Sequence, residues 1–336
     1  MLNTVQKHFK QYRRRAKLVV DRVTAQLRQA DISFFHQFSP PPAGGGHQFM
    51  RALWAEFERC GWRVENNTIS RTTQACLCNS FNFDFERLRH LRRAGCRIVH
   101  RVDGPISLYR GRNDDADERI WQINQELADA TIFQSHYSLQ KHLEMGLSFK
   151  DPVVIMNAPD PQIFHPTGRV PFDPTRKIRL ISTSWSDNPN KGAAVYQWLE
   201  SRLDWNRFEY TFVGRSPVRF EYIRMIEPVS SVQLAGLLRQ HDIFITASRY
   251  DPCSNALLEA LACGLPAIYL NSGGHSEIVG QAGFGFEEQT EVPDLLDRLA
   301  TEYEARQAQI NLPSLAQVAG RYLSVMGLNP EMRGSG

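Results

Sequence analysis

The sequence has no apolar run approaching the roughly 18–20 residues that a membrane-spanning helix requires. Its apolar patch near the N-terminus, Leu18-Val19-Val20, is stopped by Asp21 and Arg22. Neither a leader peptide nor a span is therefore expected, and the location read from the sequence is cytoplasmic. Cysteine is sparse and scattered. The six, Cys60, Cys76, Cys78, Cys96, Cys253 and Cys263, form no Cys-x-x-Cys pair, which argues against a disulfide framework or a zinc site and predicts reduced, buried thiols. The spacing Gly-x-Gly-x-x-Gly is missing too, which argues against a dinucleotide cofactor. No internal repeat or low-complexity tract is found.

Charge is present but unevenly placed. Residues 1–28 carry Lys7, Lys10, Arg13, Arg14, Arg15, Lys17, Arg22 and Arg28 against the single acid Asp21. That is +7 within a net +3, so the rest of the chain is −4. A basic segment on a mildly acidic body predicts peripheral attraction to an anionic membrane, or a solvated helix packed on the body. Nucleic acid is the partner not expected.

Beyond the basic segment, strand and helix patterns alternate. Short β-branched or aromatic runs predict strands over 31–38, 74–78, 96–102, 131–134 and 152–156, separated by helices over 47–60, 83–93, 114–129 and 138–145. Residues 165–177 hold three prolines and a glycine without periodicity and read as a connection between domains. A second series follows, with strands over 178–183, 209–213, 223–226, 242–247 and 266–270. Its helices fall over 192–203, 231–240, 255–263, 291–308 and 315–326, and the tail from 329 reads as disordered. The expected fold class is α/β, two doubly wound Rossmann-like domains facing a cleft. The expected division is a basic segment 1–29, a first domain 30–165, a hinge 166–177 and a second domain 178–312. A last helix, 313–328, is expected to pack back on the first domain.

The chemistry concentrates in Arg249-Tyr250-Asp251-Pro252-Cys253-Ser254-Asn255, which runs into a helix carrying Glu259. Ser254 or Asn255 would cap that helix, and its free N–H groups would face an anion. A carboxylate accepts two hydroxyl hydrogen bonds at once, so Asp251 and Glu259 suit vicinal diols. Lys191, in Asn190-Lys191-Gly192, sits at a helix start after the 178–183 strand, near Ser184. Three glycines, Gly44, Gly45 and Gly46, follow the first strand and permit close backbone approach to a phosphate or sugar. His100 and Asp103 end the 96–102 strand. Asp115-Ala116-Asp117 matches a metal-binding spelling but reads as the acidic first turn of a helix, so no metal site is expected.

These stretches resemble the retaining family-four glycosyltransferases of GT-B fold. The resemblance rests on two acids separated by seven residues (Asp251, Glu259), then Ala260, Ala262, Gly264 and Pro266. The later Gly273-Gly274-His275-Ser276-Glu277-Ile278 also matches, as does the 155–166 stretch before the hinge. It implies that Asp251 contacts the donor sugar and Glu259 the ribose, and that Lys191, Ser254 and Asn255 hold the diphosphate. Gly45, Gly46 and Ser184 would line the donor, and His100 or Asp103 would approach the reacting sugar. The family's usual arginine stands five residues before the lysine. Here that position is Ser186, so hydroxyls and amides replace it or Arg215 reaches in. The first acid is Asp rather than Glu, which shortens its reach. The implied function is metal-independent, retaining transfer from a nucleotide-sugar to a glycan or lipid-linked acceptor, with no cofactor. A nucleotide-sugar epimerase or a non-catalytic sugar-nucleotide-binding protein of the same fold are the alternatives.

Overall fold

A computed structural model describes residues 28–40, 44–111 and 115–329. Nearly all of the basic segment, and the tail from 330, lie outside the described residues.

Two parallel six-stranded sheets organise the chain. The first orders its strands β2-β1-β3-β4-β5-β6, with β1 Ile32–Phe35, β2 Val64–Asn66, β3 Ala75–Asn79, β4 Arg97–Val102, β5 Ala130–Phe133 and β6 Pro152–Val154. The second runs β12-β11-β10-β7-β8-β9, with β7 Ile178–Ser184, β8 Phe208–Gly214, β9 Arg224–Ile226, β10 Ile243–Thr246, β11 Ala267–Leu270 and β12 Gly283–Phe286. All pairings are parallel. A parallel sheet is covered on both faces, which is why the strands read as apolar runs and not as alternating ones.

Side-chain alternation sorts the first sheet's residues onto two cores. Ile32, Phe34, Ala75 and Leu77 enter one core with Phe49, Leu53 and Phe57 of the helix Gly45–Arg59. Phe35, Cys76 and Cys78 enter the other, where Cys96 joins them. The described cysteines are free, and burial pushes the Cys96 thiol up to about 11. Among the described residues no group of three metal-ligand types gathers. Asp117 is committed elsewhere: its carboxylate accepts from the backbone of Ile106 (2.6 Å) and Ser107 (3.0 Å), capping the helix Ile106–Arg110.

The chain crosses back at its end. The helix Leu315–Val325 buries Leu315, Val318, Ala319, Tyr322 and Leu323 in the first domain's core, beside Phe34 and Phe49. The proline-rich connection packs on the second domain: Phe172 stacks on Tyr303 at 3.9 Å. Arg176 and Arg179 pair with the fully buried Asp242.

Several boundaries differ from the sequence expectation. The first long helix starts at Gly45 instead of His47, so the glycines form its first turn. The expected 291–308 helix breaks at Glu302 into Val292–Thr301 and Tyr303–Gln307. Unforeseen were β2, β12, the short helices Ile106–Arg110 and His275–Val279, and the single helical turns Pro189–Lys191 and Gln289–Glu291. β12, Gly-Phe-Gly-Phe, spells a turn, yet a side chain at Gly283 would collide with the Ala267 carbonyl of the neighbouring strand. Replacing Leu323 by Ala, far from the cleft, should lower unfolding free energy by about 2–5 kcal/mol in chemical denaturation, because the last helix completes the first core.

Candidate functional site

The carboxyl ends of both sheets face one interdomain cavity of about 260 Å³. This is where open parallel sheets place their ligands. Its lining includes Gly45, Gly46, Asp103, Ser184, Lys191, Asp251, Ser254, Asn255 and Glu259. Nine of the eleven residues predicted from sequence therefore converge on one place.

Two helix N-termini meet there. The helix Gly45–Arg59 begins without a side-chain cap and without an acid in its first turn. The helix Asn255–Ala262 comes from the opposite domain, also without an acid in its first turn. Ser254, not Asn255, caps it, accepting from Leu257 N. The approach is so close that a β-carbon on Gly45 would lie 2.6 Å from Asn255 Cβ. Each helix end carries unpaired N–H groups and about half a positive charge. Setting two such ends tip to tip is unfavourable until an anion lies near them.

Lys191 adds a full charge. It ends a turn, Pro189–Lys191, capped by Asn188. Asn190 fastens this turn to the first domain by donating to the carbonyls of Leu108 (3.1 Å) and Tyr109 (3.0 Å). Lys191 Nζ donates to Asp251 Oδ2 at 3.0 Å. Burial works against the charged form of Asp251, but Lys191 outweighs it and holds the carboxyl below its ordinary range. Asp251 in turn holds the Lys191 ammonium above its own. Tyr250 just before it takes a left-handed φ of 59°, a strained choice for a residue with a β-carbon, of the kind that clusters at binding sites. Gly273 and Gly274 pack on this loop, with Gly274 N donating to the Asp251 carbonyl at 2.9 Å. The glycine pair thus supports the acid's backbone.

Glu259 lies one turn further down its helix. Burial alone raises its carboxyl to about 8. At neutral pH it is mostly protonated, until a ligand supplies donors or charge.

On the first-domain side, Asp103 accepts from Arg101 Nη1 at 3.0 Å and from Gln134 Nε2. His100 is a correction. It is fully buried inside β4, paired on both sides with β3 and β5. Its Nε2 lies 2.7 Å from the Ser80 carbonyl, and burial lowers its pKa to about 4. Two strand residues, Arg101 and Val102, stand between it and Asp103 at the cleft, so it is a neutral core histidine. Arg215 is the second correction. It is exposed beyond β8, outside the cavity lining, and reaches Ser184 only through its backbone, N to O at 2.8 Å. Ser184 itself turns its hydroxyl to the Ser186 carbonyl at 2.7 Å.

Sequence reasoning missed Arg249, Tyr109, Gln134 and Asn190, which all line the cavity. Arg249 stands two residues before Asp251, and its backbone N–H is held by the Asn190 carbonyl at 2.7 Å. Gln134 sits just beyond the carboxyl end of β5, where the strand-end rule could have found it. Across the cleft, Glu277 accepts from His136 N (2.8 Å) and Tyr137 N (2.7 Å), capping a first-domain helix with a second-domain carboxylate.

Residues 195–303 match the family described as glycosyl transferases group 1. The matched stretch covers 109 of the 336 residues. It contains Asp251 and Glu259, while Lys191 lies just ahead of it. No curated protein matches the chain by sequence. By fold the chain is similar to the catalytic domain of starch synthase IV from Arabidopsis thaliana bound to ADP and acarbose. That likeness has TM-score 0.69 and 13% identity, and covers 89% of this chain and 99% of that one. It is also similar to sucrose-phosphate synthase from Thermosynechococcus elongatus, with TM-score 0.64 and 14% identity over 89% and 95%. A third likeness is to Anabaena HepE in complex with UDP and glucose, with TM-score 0.61 and 14% identity over 89% and 98%. The architecture is GT-B.

The raised Glu259 pKa has a thermodynamic sign. Between the unfolded value near 4.3–4.5 and the folded value near 8, the folded state binds the extra proton, so this group's contribution weakens as pH rises through that window. Glu259→Gln keeps the shape without the ionisation. Its melting temperature should exceed the wild type's at pH 8.5 and match it at pH 4.5, as read by calorimetry.

Proposed function

We propose that the chain transfers a sugar from a nucleoside-diphosphate sugar to a glycan or lipid-linked acceptor, with retention at the anomeric carbon. One observation carries the reading. Two helix N-termini without an acid in their first turns converge, with Lys191, on a cavity that also holds two acids, Asp251 and Glu259. Positive ends suit a diphosphate, and carboxylates suit diols. Neighbours of the same fold bound to ADP, or to UDP and glucose, support the same class of ligand.

In this reading the helix tips and Lys191 stabilise charge on the departing diphosphate, with Arg249 as a second cation at the cavity wall. Glu259 grips the ribose hydroxyls and Asp251 the sugar. Asp103 faces the acceptor. The bond from C1 to the diphosphate oxygen breaks and the diphosphate leaves with its electron pair. The acceptor oxygen bonds to C1 on the same face, and its proton passes to the departing phosphate oxygen. The positive groups supply the neutralisation that a divalent cation would otherwise give, so turnover should persist in excess EDTA. The basic segment 1–28 is read as a peripheral contact with anionic lipid; deleting it should abolish co-sedimentation with phosphatidylserine vesicles and spare nucleotide binding.

The deciding experiment is a thermal-shift screen with UDP-, GDP-, ADP- and TDP-sugars. One class at saturating concentration should raise the melting temperature by a few degrees. Glu259→Ala should erase that shift. Lys191→Met should lower turnover about a hundredfold or more. A flat response to all four donors would remove the proposal.

A further inference from the structure

Arg101 is 1% exposed, in the interior of the first domain. A guanidinium there is tolerated only if acceptors surround it. Its Nη1 donates to Asn79 Oδ1 at 2.5 Å and Asp103 Oδ1 at 3.0 Å, and its Nη2 to Asn157 Oδ1 at 3.0 Å. The cation also lies over the Phe49 ring, 5.2 Å from its centroid.

Guanidinium is a donor only. Its direction therefore propagates through the amides it touches. Asn157 must turn its carbonyl to Arg101, which leaves its amide nitrogen to donate to Gln134 Oε1 and Asn255 Oδ1, each at 3.1 Å. Gln134, its carbonyl taken, gives its amide nitrogen to Asp103. Asn255, its carbonyl taken, has only its amide nitrogen left for the cleft, where it faces Gly45. Amide orientation is otherwise ambiguous, and here a buried charge settles it for Asn157 and Asn255, while the Asp103 carboxylate holds Gln134 the same way.

We propose that Arg101 is a positioning residue. It sets the polarity of a relay running from the first domain's core, through Asn157, to the tip of the Asn255 helix in the second domain. Because of it the cleft is offered a hydrogen-bond donor by Asn255, beside the acceptor that the Asp103 carboxylate provides. The ligand assignment rests on the glycosyl-transfer reading: the donor group serves a phosphate oxygen, and the acceptor group serves the attacking hydroxyl. The relay itself is independent of that reading.

The test uses full-length protein, nitrogen-15 labelled at asparagine, with UDP as the probe. In Arg101→Met the side-chain amide signals of Asn157 and Asn255 should shift and their protons exchange faster, and UDP affinity by titration should fall about tenfold. Arg101→Lys, still a donor-only cation, should hold affinity within about threefold of wild type. Wild-type amide signals or wild-type UDP affinity in Arg101→Met would overturn the proposal. If Arg101→Met does not fold, Asn157→Asp serves: a carboxylate keeps the Arg101 contact but donates nothing to Asn255, so UDP affinity should still drop, and an unchanged value overturns the relay. If the wild type binds no nucleotide, the functional reading fails, and the amide signals alone then judge Arg101.

Discussion

Two helix ends of the same sign are held against each other across the domain boundary, at a separation that only a glycine permits. Nothing in either domain alone calls for that arrangement. It becomes favourable when negative charge enters between them, because first-turn amides on both sides then gain an acceptor and Lys191 a second anion beside Asp251. The other features of the cleft follow this constraint. Asp251 does not serve as that negative charge, because it is committed to Lys191. Glu259 cannot either, because burial keeps it largely protonated near neutrality.

The closed arrangement is stitched by polar contacts and not by a shared apolar core. Asn190 reaches first-domain carbonyls, Glu277 caps a first-domain helix, and Asn157 meets Asn255. Each of these groups can exchange its partner for water, so opening exposes little apolar surface. Interfaces of this kind permit relative domain motion. The apolar cores are separate except where the chain crosses over: Met156, Ile163 and Phe164 pack into the second domain's core, and the last helix packs into the first.

Much of this was legible in the sequence. The parallel sheets follow from short apolar strands alternating with amphipathic helices. The pair Asp251 and Glu259, with Lys191 and the glycines, was found because helix starts and strand ends are written in local residue choices. What failed was register and reach. His100 and Asp103 are three residues apart, and only the length of β4 decides which one clears the sheet. Arg215 and Arg249 are both arginines at strand ends, and the fold brings one to the cavity and leaves the other outside. Arg101 reads as one more strand residue, because no local pattern announces that a charge will be buried.

The return of residues 315–325 to the first domain bears on how the protein comes into being on the ribosome. The core around Phe34, Phe49 and Phe57 lacks one wall until Leu315, Val318, Tyr322 and Leu323 arrive, after every strand of the second sheet has been made. Until then the first domain waits with an open apolar face, while the second can complete its sheet first. A nascent molecule that stops short of residue 315 leaves that face uncovered.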